Sequence, residues 1–169
     1  LVHDFVINGQ EYRNGPRGSN RGMRTPYNDL PDWLHEGWAR VQEMDRFGEA
    51  IVHCCSEVMN MDFQAGKRDQ YVDNLKKWSG AKKLTPFPEI SRAIRDKFGA
   101  KVHTQIWYIV DYLRRRDPLA FPRLIARAKI ISQELNDEKE GFTRALKEVC
   151  DLTPMGLEEA WQADLLKQR

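Results

Sequence analysis

The chain has 169 residues, 41% apolar and 31% charged, with 27 basic side chains against 25 acidic ones, a formal net charge of +2 and a pI near 8.5. That mixture is globular rather than disordered, and its length suits one domain over residues 1–169 that can bury a core. The near balance of charge argues against a nucleic-acid partner, which would need a contiguous basic surface. No run approaches the roughly 18 apolar residues of a membrane span. No signal peptide is visible at the N-terminus, and the first residue is Leu rather than Met. A processed, trimmed or partial chain is therefore expected, and the compartment stays unknown.

In chain order, Leu1 to Asn8 is a short apolar stretch, and Asn8-Gly9 reads as a helix C-terminus. Residues 10–30 carry Gly15, Gly18, Gly22, Pro16 and Pro26 without periodicity and predict a long loop. Its arginines, Arg13, Arg17, Arg21 and Arg24, read as a solvated face, with an acidic or phosphate partner as the alternative. Helices are then expected over Pro31–Met44, Phe47–Met61, Lys67–Trp78, Pro88–Phe98, Lys101–Arg115, Asp117–Gln133 and Glu140–Val149. A last one is capped by Thr153-Pro154 and carries Leu157, Trp161 and Leu165. Lys101–Arg115 shows one apolar face of Val102, Ile106, Ile109, Val110 and Leu113. No β-hairpin signal is seen, and the expected fold class is all-α.

The odd set Cys54, Cys55 and Cys150 is neither a disulfide framework nor a zinc ribbon, and reads as buried free thiols. Trp33, Trp38 and Tyr108 read as packing residues. The run Arg114-Arg115-Arg116 suits the negative end of a helix dipole.

The most informative segment is Leu30-Pro31-Asp32-Trp33-Leu34-His35-Glu36-Gly37-Trp38-Ala39. It resembles the P-x-W-L-x-E-G-x-A segment of gluzincin metallopeptidases, on the thermolysin and aminopeptidase-N side of the zinc peptidases. In that family the Glu is the third zinc ligand, and it matches Glu36. The other two ligands are the histidines of H-E-x-x-H, whose Glu is the general base. No complete H-E-x-x-H is present, but Leu1-Val2-His3 fits its last three positions. His3 would then be the second zinc-binding histidine, with the first His and the base Glu before residue 1. Histidines four apart share one helix face and can share a metal, and the Glu beside the first can polarise a zinc-bound water. A competing register takes His3-Asp4-Phe5-Val6-Ile7 as a degraded motif, which gives a dead enzyme.

Further along, the helix beginning near His103 resembles the family helix whose leading Tyr donates a hydrogen bond to the oxyanion of the tetrahedral intermediate. His103 stands where that Tyr would be, and an imidazole N–H can serve the same end. The tail, with Phe121, Ile125, Phe142, Leu157 and Trp161, resembles the closing helices of these domains. The resemblance thus implies the helical C-terminal half of a zincin-type catalytic domain. Residues 10–30 would join its zinc helix to its third-ligand helix. The cofactor would be Zn, held by His3 and Glu36, with His103 as the catalytic oxyanion donor. The substrate would be a peptide or protein, and the remaining N-terminal part of the catalytic domain a necessary partner. By itself this stretch would be inactive. An extracytoplasmic or secreted location is favoured by the resemblance alone. The alternatives are a non-catalytic helical interaction module or pseudopeptidase, and a helical nucleic-acid-binding domain using the arginine loop.

Overall fold

A computed structural model describes residues 29–50, 66–94 and 98–168. These form seven helices and one short ladder, an all-α architecture. The first helix, α1 (Asp32–Phe47), starts after Pro31, whose fixed φ and missing N–H suit a helix entry, and Asp32 places an acidic side chain in the first turn. Its buried stripe is Trp33, Leu34, Gly37, Trp38, Val41 and Met44, the three-and-four spacing of a helix packed on one side. Gly48 takes the left-handed conformation, φ 75°, and its N–H closes on the carbonyl of Met44.

That glycine corrects where the second helix expected over Phe47–Met61 begins, since residues 47–50 are not part of it. Phe47 ends α1, the chain turns at Gly48, and Glu49–Ala50 is extended as β1. Strand β1 pairs antiparallel with β2 (Gly66–Lys67) in the register Glu49↔Lys67 and Ala50↔Gly66, a pairing too short to show as a sequence alternation. Residues 51–61 lie outside the described residues, as do His3 and the loop as far as residue 28. The last two residues of that loop, Asp29 and Leu30, are buried. Asp29 accepts a hydrogen bond from Gln133 at 2.8 Å.

Helix α2 (Arg68–Gly80) opens with the Lys67 N–H donating to the Gln70 side chain at 2.9 Å. The helix expected over Pro88–Phe98 is a single turn, α3 (Phe87–Ile90). Ser91 donates its hydroxyl to the carbonyl of Pro88 at 3.0 Å, a local bond of the kind that competes with helix continuation, and turns follow at Ser91 and Arg92.

Helix α4 (Ala100–Arg116) is the axis of the molecule. Every residue from His103 to Asp111 is buried, so the single apolar face read from sequence underestimates its enclosure. Several polar side chains of this stretch bond internally, Thr104 donating its hydroxyl to the carbonyl of Ala100 at 3.0 Å. Gln105 exchanges two hydrogen bonds with the backbone of Thr85, at 2.9 and 3.0 Å. Helices α5 (Ala120–Leu135) and α7 (Pro154–Lys167) pack against α4, and α6 (Glu138–Cys150) packs on α5. Two of them begin at a side-chain cap, Asp137 accepting from Lys139 and Glu140 and Thr153 from Gly156, and in the turn before α5 Asp117 accepts from Leu119 and Ala120, all at 2.9–3.0 Å. Trp33 is wedged edge-on between Phe87 and Phe142, each at 5.0 Å, which ties α1 to α3 and α6. No helix among the described residues is long and apolar enough to cross a membrane.

Candidate functional site

Glu36 lies one turn into α1 and is half-buried. The residue beside it sets how α1 meets α4. A Cβ built on Gly37 would lie 2.6 Å from the carbonyl oxygen of Ile106 and 2.7 Å from Cγ2 of Val110. The two backbones therefore cross at a distance only glycine permits. Further along, Arg114 of α4 binds both carboxylate oxygens of Asp45 on α1. The two contacts advance in step, so α1 and α4 run in the same direction. Glu36 is about 100° round α1 from Gly37 and so stands at the flank of this crossing.

His103 lies three residues before Ile106, on the stripe of α4 that continues through Val110 toward α1. It is 3% exposed, and its ring meets Phe98 edge-on at 5.9 Å. Glu36 and His103 thus occupy neighbouring levels of two packed parallel helices. Beside His103, a cleft of about 280 Å³ is lined by Thr85, Glu89, Ile90, Phe98, Lys101 and Val102.

His3 lies outside the described residues, and with it the pairing of His3 with Glu36. Among the described residues no group of three or more His, Cys, Asp or Glu could hold a metal ion. Of the expected zinc ligands the described part contributes Glu36 alone. A half-buried carboxylate next to a rigid helix crossing is a donor type that zinc accepts. Trp33 and Trp38 are core residues, and Trp38 packs on Phe121 at 5.3 Å. Cys150 is a half-buried free thiol whose pKa burial raises, while Cys54 and Cys55 lie outside the described residues.

Sequence reading missed an ionic cluster at the other end of α4. Asp111 is 1% exposed and accepts from Arg68 at 2.7 Å, Arg114 at 3.0 Å and Arg115 at 2.8 Å. Arg115 also donates to Asp164 of α7 at 2.9 Å, and the Tyr108 hydroxyl donates to the same carboxylate at 2.8 Å. Arg68 lies over the Trp107 ring and Arg115 over that of Tyr108. Burial works against the charge of Asp164, but the bonds from Arg115 and Tyr108 outweigh it and hold its carboxyl below the ordinary range. Burial, and then donation to Asp164, pushes the Tyr108 phenol well up. The spacing of Asp111, Arg114 and Arg115 at i, i+3 and i+4 was the available signal.

Compared with known proteins, the chain matches no family model, no curated protein and no solved structure.

Proposed function

We propose that this chain is the C-terminal helical half of a gluzincin-like zinc peptidase domain. One observation carries the reading. The segment that resembles the third-ligand motif folds as the start of α1, and its Gly37 is pressed on α4 one turn from His103. A carboxylate ligand and an oxyanion donor in such an enzyme come from two elements held against each other, and the contact of Gly37 with Ile106 supports this for the helices that carry Glu36 and His103.

On this reading Glu36 and His3 are the zinc ligands of this chain, and residues preceding Leu1 contribute the first His and the base Glu. Zinc held there would supply the activation of water for hydrolysis of a peptide bond, and the substrate would be a peptide or protein. His103 would donate an imidazole N–H to the substrate's carbonyl oxygen as negative charge develops there.

The test is elemental analysis and peptide hydrolysis with the full-length protein and its Glu36→Gln variant. Zinc close to one equivalent is expected, with occupancy and hydrolysis both sharply lowered in the variant, because an amide is a poor zinc ligand. A full-length protein that takes up no zinc would instead be a pseudopeptidase or a helical interaction module. Equal zinc and equal hydrolysis in both proteins would leave Glu36 as a surface carboxylate.

A further inference from the structure

We infer that the cleft between the last turns of α4 and α7 binds a phosphoryl group, either free phosphate or the head of a small phosphate monoester. The inference is independent of the peptidase reading.

The cleft has a volume of about 300 Å³ and is lined by Tyr112, Arg115 and Arg116 of α4 and by Ala160, Asp164 and Lys167 of α7. Both sets are helical stripes, spaced i, i+3, i+4 on α4 and i, i+4, i+7 on α7. Between two faces that carry long charged side chains, the small Ala160 leaves space open. Its size falls at the lower end of the range of small-ligand sites.

The charges around this space do not cancel. Asp164 is already engaged, its carboxylate accepting from Arg115 at 2.9 Å and from the Tyr108 hydroxyl at 2.8 Å. Arg115 is in turn fixed by Asp111 at 2.8 Å. Arg116 and Lys167 remain. Among the described residues neither is in an ion pair, and Arg116 makes only a long contact, 3.5 Å, with the carbonyl of Cys150. Two other carboxylates act on Arg116 through space, but Asp117 is bound to the N–H groups of Leu119 and Ala120, and Asp151 to Lys147. The two helix C-termini bring about one negative charge between them, which Arg116 and Lys167 together exceed.

The donor set favours a phosphoryl group over a carboxylate. Arg115, held between Asp111 and Asp164, is a fixed wall with N–H donors to spare. Arg116 brings a second guanidinium fork and Lys167 an ammonium. Burial raises the Tyr112 phenol, so it keeps its proton at neutral pH, and its hydroxyl has no hydrogen-bond partner among the described residues. Donors thus reach the cleft from both helices. A phosphate monoester carries about −1.5 to −2 charge on three acceptor oxygens that point in different directions. A carboxylate offers one charge on two coplanar oxygens and would leave part of the set unused.

The test is isothermal titration calorimetry of the full-length protein with inorganic phosphate, ethyl phosphate and acetate, at neutral pH and fixed ionic strength. It is repeated on Arg116→Gln, Lys167→Gln and Arg144→Gln. Arg116 and Lys167 are exposed, so these variants keep the fold, which their melting temperatures check. Arg144, exposed on α6 and outside the cleft lining, controls for the loss of one positive charge.

Binding of inorganic phosphate or ethyl phosphate is expected, with acetate at least about tenfold weaker. Each cleft variant should weaken phosphate binding by about tenfold or more, the cost of one charge-assisted hydrogen bond, and Arg144→Gln by less than about twofold. Tighter binding of ethyl phosphate than of phosphate identifies a monoester as the ligand, and the reverse order identifies the free ion. A protein that binds neither phosphate overturns the site. So does acetate binding as tight as that of phosphate, and so does an equal loss in Arg144→Gln, which would make the effect one of net charge.

Discussion

Arg68, the first residue of α2, donates from Nη2 to Oδ2 of Asp111 at 2.7 Å across 43 residues of chain. Asp111 is almost fully enclosed, with two further guanidiniums on it, while the arginine heads stay partly in water. The pairing is therefore asymmetric. The carboxylate depends on its partners for every bond that water would have made, and the arginines do not. Asp111→Ala is expected to lower stability by about 2–4 kcal/mol, since three charge-assisted bonds go at once and the exposed arginines recover part of the loss from solvent. Arg68→Met should cost less than about 1 kcal/mol, because Asp111 keeps two partners. Urea denaturation of the two variants would measure both. An equal cost for both would mean the cluster is not organised around Asp111.

The tyrosine in the same cluster sets an alkaline limit. The Tyr108 phenol is raised, first by burial and then by its bond to Asp164, and burial raises Tyr112 as well. An unfolded tyrosine loses its proton near pH 10, as a typical value. Above that pH the unfolded chain releases a proton that the fold retains, so the contribution is complete below about 10 and is lost as pH rises beyond it. Melting temperature should fall more steeply above about pH 10 in the wild type than in Tyr108→Phe. Asp164 acts in the opposite sense. Its depressed carboxyl contributes stability above about pH 3.9, which is lost as the pH falls below that value. Parallel curves for wild type and Tyr108→Phe over the alkaline range would remove Tyr108 from this account.

For His103 the expectation is kinetic. In the full-length protein His103→Phe should lower kcat by about 10²–10³, the usual cost of losing one oxyanion donor. Zinc content should be normal and KM nearly so, because the bond is made mainly in the transition state. Since the ring is buried beside Phe98, the fold of the variant must be checked first. A folded variant with wild-type kcat would reduce His103 to a packing residue, and one that has lost its zinc would make it a ligand.

The long helices were legible because their signals are local. Asp137 and Thr153 cap the helices they precede, the Asp117 carboxylate holds the turn before α5, and Leu157, Trp161 and Leu165 repeat at the spacing of one buried face. Two expected boundaries, the start of the helix over Phe47–Met61 and the end of the one over Pro88–Phe98, shift where a short-range competitor overrides periodicity. Gly48 turns left-handed after α1, and the Ser91 hydroxyl takes a carbonyl that a longer α3 would have used. The ladder of Glu49–Ala50 with Gly66–Lys67 is two residues deep, below the length at which alternation can be seen. In the candidate site, Glu36 and His103 are named from the resemblance alone. The contact of Gly37 with α4 was not readable, because it depends on which carbonyl of a distant helix lies opposite. The Asp111 cluster was half readable: Arg114 and Arg115 share its helix, whereas Arg68, Asp45 and Asp164 come from three others.

Helices α5 and α6 are joined by only Asn136 and Asp137, the first left-handed at φ 58° and the second the cap of α6. They close so tightly that a Cβ on Gly141 would fall 2.6 Å from the backbone nitrogen of Ser132. Bringing ends so near in sequence together costs little chain entropy, and the contact has no need of distant segments. Among the described residues this hairpin is therefore well suited to assemble early during folding. It then offers Phe142 as a finished surface on which Trp33, and with it the helix bearing Glu36, can dock.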